Sequence, residues 1–107
     1  LEETFGPVAA FTSFVDDEQA FRYADAGVFG LAGAVFSRNV GRALRFAEQL
    51  RLGVVNINDH SSYWDRRSPA GGASGKRSGI GRLGGKYALL EMTDLKTITI
   101  DIGANAD

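Results

Sequence analysis

Three short apolar runs, interleaved with helix-like stretches, constrain this chain more than anything else in it. Residues 8–15 (VAAFTSFV), 31–36 (LAGAVF) and 54–57 (VVNI) are apolar but lack the alternation of a half-exposed strand. Short runs of this kind read as strands covered on both faces, the habit of parallel sheets. Between the first two runs, Asp16 and Asp17 offer carboxylates to cap a helix, and Glu18 favours its first turn. Ala20, Phe21 and Ala24 share one face of that helix, and Gly27 suits its C-terminal stop. Between the second and third runs, Asn39 caps an amphipathic helix. There Val40, Ala43, Leu44, Ala47 and Leu50 recur at helical spacing, while Arg42, Arg45, Glu48 and Gln49 face outward. Gly53 is the expected C-terminal residue of that helix. Strand, helix, strand, helix, strand predicts an α/β fold: a three-layer αβα-type piece with a short parallel βαβαβ sheet and right-handed crossovers.

After Asn58 the pattern dissolves into about 27 polar, glycine-rich and aperiodic residues, Asp59 to Gly85. Glycine makes up 14 of 107 residues, about twice the ~7% average, and seven of the 14 lie between Gly71 and Gly85. A structureless stretch of this length in a compact domain is either functional or packed against something else. Residues 86–92 (KYALLEM) then read as a short helix. Residues 94–102 (DLKTITIDI) alternate well: Ile98, Ile100 and Ile102 point one way, and Thr97, Thr99 and Asp101 the other. A strand beyond so long a loop has its natural partner in another sheet or another chain. Residues 1–92 therefore form one unit, and 93–107 a strand and tail. The chain opens without methionine on a dense motif, which predicts a piece of a longer polypeptide.

Composition removes several classes of function. There is no cysteine and one histidine, His60, so disulfides, thiolate zinc sites, a cysteine nucleophile and multi-histidine metal centres are excluded. A formal net charge of -1 lacks the basic footprint of a nucleic-acid binder. No apolar run approaches the ~20 residues of a membrane span, and nothing asks for export, so the expected location is cytoplasmic.

Several motifs invite chemical readings. Gly79-Ile80-Gly81-Arg82-Leu83-Gly84 satisfies G-x-G-x-x-G, but a dinucleotide fingerprint follows a strand, and residues 74–78 are a polar loop. Gly75-Lys76 fails as a phosphate loop, because Ala70 stands at the first glycine and Arg77 at the hydroxyl position. The glycines are better explained as letting the backbone turn repeatedly and approach a neighbouring surface, one that this chain lacks. Lys76, Arg77 and Arg82 are then either solvated charges or anchors for a partner's carboxylates. Asp59-His60-Ser61-Ser62 sets the triad residue types side by side, but adjacent residues cannot converge in triad geometry. His60 reads as a loop histidine. Tyr63 and Trp64 either line a pocket or cover a hydrophobic gap. Glu2 and Glu3 are by default solvated charges.

Taken together, these segments resemble the C-terminal portion of an NAD(P)-dependent aldehyde dehydrogenase. The family's E-E-x-F-G-P-V resembles Glu2-Glu3-Thr4-Phe5-Gly6-Pro7-Val8. Its Y-G-L-A-x-x-V-F-[ST]-R resembles residues 29–38, and its R-A-x-x-x-A-x-x-L-x-x-G-x-V falls on Arg42, Ala43, Ala47, Leu50, Gly53 and Val55. Ile57-Asn58, the S-G-x-G-R-x-G-G of residues 78–85 and the T-[ED]-x-K-x-[IV]-x-[IV] of residues 93–100 follow in the family's order.

That resemblance implies roles. Glu3 would hydrogen-bond the nicotinamide ribose of NAD or NADP, and Phe5 would pack beside the nicotinamide, holding the ring for hydride transfer. Asn58, Asp59, His60, Tyr63, Trp64 and Ala70 would line the aldehyde tunnel. Residues 94–102 would add to a neighbouring subunit's sheet in a homo-oligomer. Two departures stand out. Where the family has P-F-G-G-x-K-x-S-G, residues 69–79 carry Ala70 for the phenylalanine and two extra residues. The family's cysteine nucleophile, general-base glutamate and nucleotide-binding domain also precede the matched region. The family's reaction is thiolate attack on the aldehyde, hydride transfer and thioester hydrolysis. This chain carries no group for the first step, so the resemblance implies a fragment inactive by itself. A free-standing interaction module and a small nucleotide binder using Gly79–Gly84 remain the alternatives.

Overall fold

The structure, a computed structural model, describes residues 2–61 and 65–103. Helix α1 spans Asp17–Asp25. Asp16 caps it, its carboxylate accepting from the Gln19 N–H at 2.7 Å, while the Gln19 side chain accepts from Val15 N–H at 2.9 Å. Two of the orphan donors around the helix start are thereby satisfied. Strand β1 is Ala32–Val35, α2 is Val40–Gln49, β2 is Val54–Ile57 and α3 is Gly85–Glu91. Asn39 caps α2 by accepting from Arg42 N–H at 2.9 Å.

β1 and β2 run parallel, with Ala32 opposite Val54 and Val35 opposite Ile57. Helix α2 makes the crossover and packs on both strands. Its core-facing residues are Ala43, fully buried, and Leu50, 9% exposed. α1 is tied to α2 by an edge-to-face contact between Phe21 and Phe46, with ring centroids 6.1 Å apart. The Asp17–Arg42 ion pair, with Arg42 Nε 2.9 Å from Asp17 Oδ2, makes a second tie.

Two expectations change. The sheet has two strands rather than three: residues 8–15 form no ladder, and Phe11 is 93% exposed. A two-stranded sheet offers that segment neither a paired neighbour nor a covering layer, so the three-layer stack is incomplete. Residues 94–102, expected to pair with another sheet or chain, have no ladder partner among the described residues, and Ile98, Ile100 and Ile102 are exposed. Gly53 does not end α2, whose cap is Leu50. Its role is close approach: a Cβ there would fall on the carbonyl oxygen of Gly71. Part of the surface that the glycine-rich segment lies against is thus this chain's own βαβ unit.

That segment is held at several points. Ala70 and Leu83 form an antiparallel bridge through both backbone hydrogen bonds, at 2.9 and 2.8 Å. Ala73 N–H donates to Gly30 O at 2.9 Å, and Arg77 N–H to Val28 O at 2.7 Å. Among the described residues no helix is long and apolar enough to cross a membrane.

Candidate functional site

Residues 28–30, which lead into β1, meet residues 76–78 of the glycine-rich segment, and the N-terminal residues close one side. The result is a hollow of about 500 Å³ lined by Glu3, Phe29, Leu31, Ala32, Leu52, Arg77 and Ser78. Phe29, Leu31, Ala32 and Leu52 give it apolar lining, and Glu3, Arg77 and Ser78 add one carboxylate, one guanidinium and one hydroxyl. Ser78 Oγ accepts from Gly30 N–H at 2.9 Å, which fixes that edge. Glu3 and Arg77 have no side-chain hydrogen bond or ion pair among the described residues, so both rims keep their full capacity for a ligand. Phe5, two residues from Glu3, is exposed.

At the exit of β2 the chain turns sharply. Asn58 has φ 58°, the left-handed region that asparagine tolerates better than most residues. Its amide clasps the backbone of Ser37: Oδ1 accepts from Ser37 N–H at 2.9 Å, and Nδ2 donates to Ser37 O at 3.1 Å. Its own N–H continues the ladder to Val35 O at 2.9 Å. Asp59 Oδ1 accepts from His60 N–H at 2.7 Å, and Asn56 Nδ2 donates to His60 O at 2.7 Å. The His60 ring lies 3.7 Å from the Asp59 carboxylate and is largely exposed. Asn58, Asp59 and His60 are thus braced by hydrogen bonds to Ser37, to Asn56 and to each other. Ala70 is fixed by its bridge to Leu83. Tyr63 and Trp64 lie outside the described residues. None of Asn58, Asp59, His60 or Ala70 lines the Glu3 hollow.

The sequence reading missed a cluster behind this hollow. Lys76 is neither a solvated charge nor an anchor for a partner. Its side chain is 5% exposed, and Nζ donates to Asp25 O at 2.7 Å and to Gly27 O, 3.5 Å from the Asp25 carboxylate. It therefore caps the carbonyl end of α1, where a cation is favoured. Asp25 also receives Arg51, through Nε at 2.9 Å. The Arg51 hydrogen bond holds the Asp25 carboxyl below its ordinary value, with Lys76 adding to the effect. The Arg42 hydrogen bond does the same for Asp17. Arg82 is also turned inward, donating to Gly72 O at 2.7 Å. The Asp17, Asp25 and Lys76 pairings join segments 25 or more residues apart, and no local spacing signals them.

Residues 1–98 match the Aldehyde dehydrogenase family. The chain belongs to the aldehyde dehydrogenase family. It is 41% identical to human retinaldehyde dehydrogenase 3, over 95% of this chain and 19% of that protein. It is 38% identical to benzaldehyde dehydrogenase YfmT of Bacillus subtilis, over 92% of this chain and 20% of that one. Among solved structures it is similar to a salicylaldehyde dehydrogenase from Pseudomonas putida G7 complexed with salicylaldehyde, with a TM-score of 0.87 and 36% identity over 95% of this chain and 21% of that one. It is also similar to a betaine aldehyde dehydrogenase from Staphylococcus aureus in complex with NAD+, with a TM-score of 0.77 and 47% identity over 84% and 17%. The chain spans about a fifth of the length of the curated relatives it matches. Those relatives are aldehyde dehydrogenases.

Proposed function

We propose that this chain forms part of an NAD(P)-dependent aldehyde dehydrogenase that oxidises an aldehyde to a carboxylic acid, and that it is inactive alone. The observation that carries the proposal is a family match over residues 1–98 in a chain with no cysteine. NAD(P)+ supplies the hydride acceptor when bound. The contribution of this chain is then binding and shape. The Glu3 carboxylate, uncommitted at the rim of its hollow, suits two ribose hydroxyls, and Phe5 gives the nicotinamide ring an apolar wall. Asn58 turns the chain out of β2, so that Asp59, His60 and, further along, Tyr63, Trp64 and Ala70 line the aldehyde tunnel. Residues 94–102 pair with a neighbouring subunit's sheet in a homo-oligomer. The enzyme so formed acts in the cytoplasm on a small-molecule aldehyde.

The test is NADH formation by the isolated chain with a panel of aldehydes. None is expected, and sustained turnover would sink the proposal. A second reading has its own observation: the unpaired 94–102 segment with its exposed isoleucines suits a free-standing interaction module. Size-exclusion chromatography with light scattering addresses the strand in both readings. A stable monomer with residues 94–102 ordered counts against any role in subunit contact.

A further inference from the structure

We infer that Lys76 is a positioning residue for the cofactor site, setting the width of the hollow whose rim carries Glu3; this rests on the role proposed above for Glu3. The hollow has two walls from distant parts of the chain. One is Phe29, Leu31 and Ala32; the other is Arg77 and Ser78. Lys76 immediately precedes the second wall, and its Nζ is fixed to the carbonyls of Asp25 and Gly27, just ahead of the first. Its stem runs past Gly30, where a Cβ would come 2.6 Å from Arg51 O and 2.8 Å from Lys76 Cγ. Arg77 N–H to Val28 O, at 2.7 Å, and Gly30 N–H to Ser78 Oγ, at 2.9 Å, follow on either side of Phe29 and close the walls on each other.

The lysine is the strongest fastener in this set. A charged donor bound to carbonyls in a spot closed to water outweighs the neutral bonds beside it. The Asp25 carboxylate balances its charge and is itself held by Arg51, in the turn that leads from α2 towards β2. The ammonium group thus ties the glycine-rich segment to the end of α1, and Asp25 joins the turn before β2 to the same point through Arg51. Without it, residues 77–78 are free to move off residues 28–30, and the hollow widens beneath Glu3. The aldehyde-tunnel residues Asn58, Asp59 and His60 are braced by Ser37 and Asn56, independently of Lys76.

The experiment uses this chain in complex with the Staphylococcus aureus betaine aldehyde dehydrogenase polypeptide shortened by the stretch that this chain matches. Lys76→Met keeps the stem and removes the donors. The variant is expected to raise the KM for NAD+ about tenfold, the scale of a lost charge-assisted hydrogen bond. The kcat per titrated active-site thiol and the KM for aldehyde are expected to stay within about twofold. A purely structural role would instead lower the titrated fraction and leave both KM values alone. An unchanged KM for NAD+, an equal change in both KM values, or failure of the Lys76→Met complex to assemble overturns the inference. Glu3→Gln in the same complex is expected to raise the KM for NAD+ as well; an unchanged value refutes the Glu3 assignment, and this inference with it.

Discussion

Replacing Gly53 with alanine tests how the glycine-rich segment is held. The Cβ would land on the carbonyl oxygen of Gly71, 2.7 Å from its carbonyl carbon and 3.2 Å from Leu31 O. All three atoms are backbone, so no rotamer change relieves the clash. Either β2 leaves its register with β1, or residues 70–73 lift away. Lifting is cheaper, and it breaks three backbone hydrogen bonds: both bonds of the Ala70–Leu83 bridge and Ala73 N–H to Gly30 O. At about 0.5–1.5 kcal/mol each, the cost is about 1.5–4.5 kcal/mol. Gly27→Ala is the control, since a Cβ there meets nothing nearer than 3.9 Å; its effect belongs to the roughly ±0.5 kcal/mol range of ordinary surface changes. Urea unfolding followed by far-UV circular dichroism measures both. Amide exchange at Ala70, Ala73 and Leu83 reports whether the predicted bonds are the ones lost. If Gly53→Ala costs no more than Gly27→Ala, or leaves those three amides protected, the close approach does not hold the segment in place.

Further outcomes follow from individual contacts. Leu50→Ala is expected to cost about 2 kcal/mol, the lower end for a buried leucine, because an apolar cavity of about 420 Å³ already adjoins it; the urea midpoint reads this. At Asn58, Gly keeps the left-handed turn but loses both bonds to Ser37, about 1–3 kcal/mol. Asn58→Ala is expected to add about 1 kcal/mol of backbone strain to that, so equal midpoints for the two variants would contradict the turn argument. Asp17 and Asp25 are held below 3.8, chiefly by hydrogen bonds from Arg42 and Arg51. Their share of stability is therefore complete above that value and lost as pH falls through the lower folded values. An acid titration of helical circular dichroism is expected to fall below pH 3.8, and Asp25→Asn to remove part of that dependence; a loss already complete above pH 3.8 contradicts the assignment.

Local chemistry explains what the sequence revealed. α1 and α2 follow from Asp16 and Asn39 as caps and from apolar spacing, and β2 from a run of four apolar-pattern residues between turn signals. These are signals within a few residues of the element they specify. Residues 8–15 show the limit. Their composition states that they are to be covered, and only the presence of a neighbouring strand decides whether a ladder forms. The same holds for residues 94–102. The Glu3 hollow was legible in part, because Glu3 sits in a family motif. Arg77 and Ser78 lie more than 70 positions away, and Lys76 finds its acceptors about 50 residues back. A lysine beside a glycine looks the same in sequence whether it is solvated or buried against the carbonyls of a distant helix.

Phe5, Phe11, Phe36, Leu95 and Ile98 are all exposed, and the described buried hydrophobic core is Ala43 and Leu50. In the proposed enzyme the rest of an aldehyde dehydrogenase polypeptide covers them. Reconstitution tests that claim most directly. The chain is titrated into the shortened Staphylococcus aureus enzyme, and NADH formation from betaine aldehyde is followed. The account predicts no activity from either component alone, and activity that rises with added chain and saturates at one chain per shortened polypeptide. No gain at any ratio, or turnover by the chain without its complement, would contradict it.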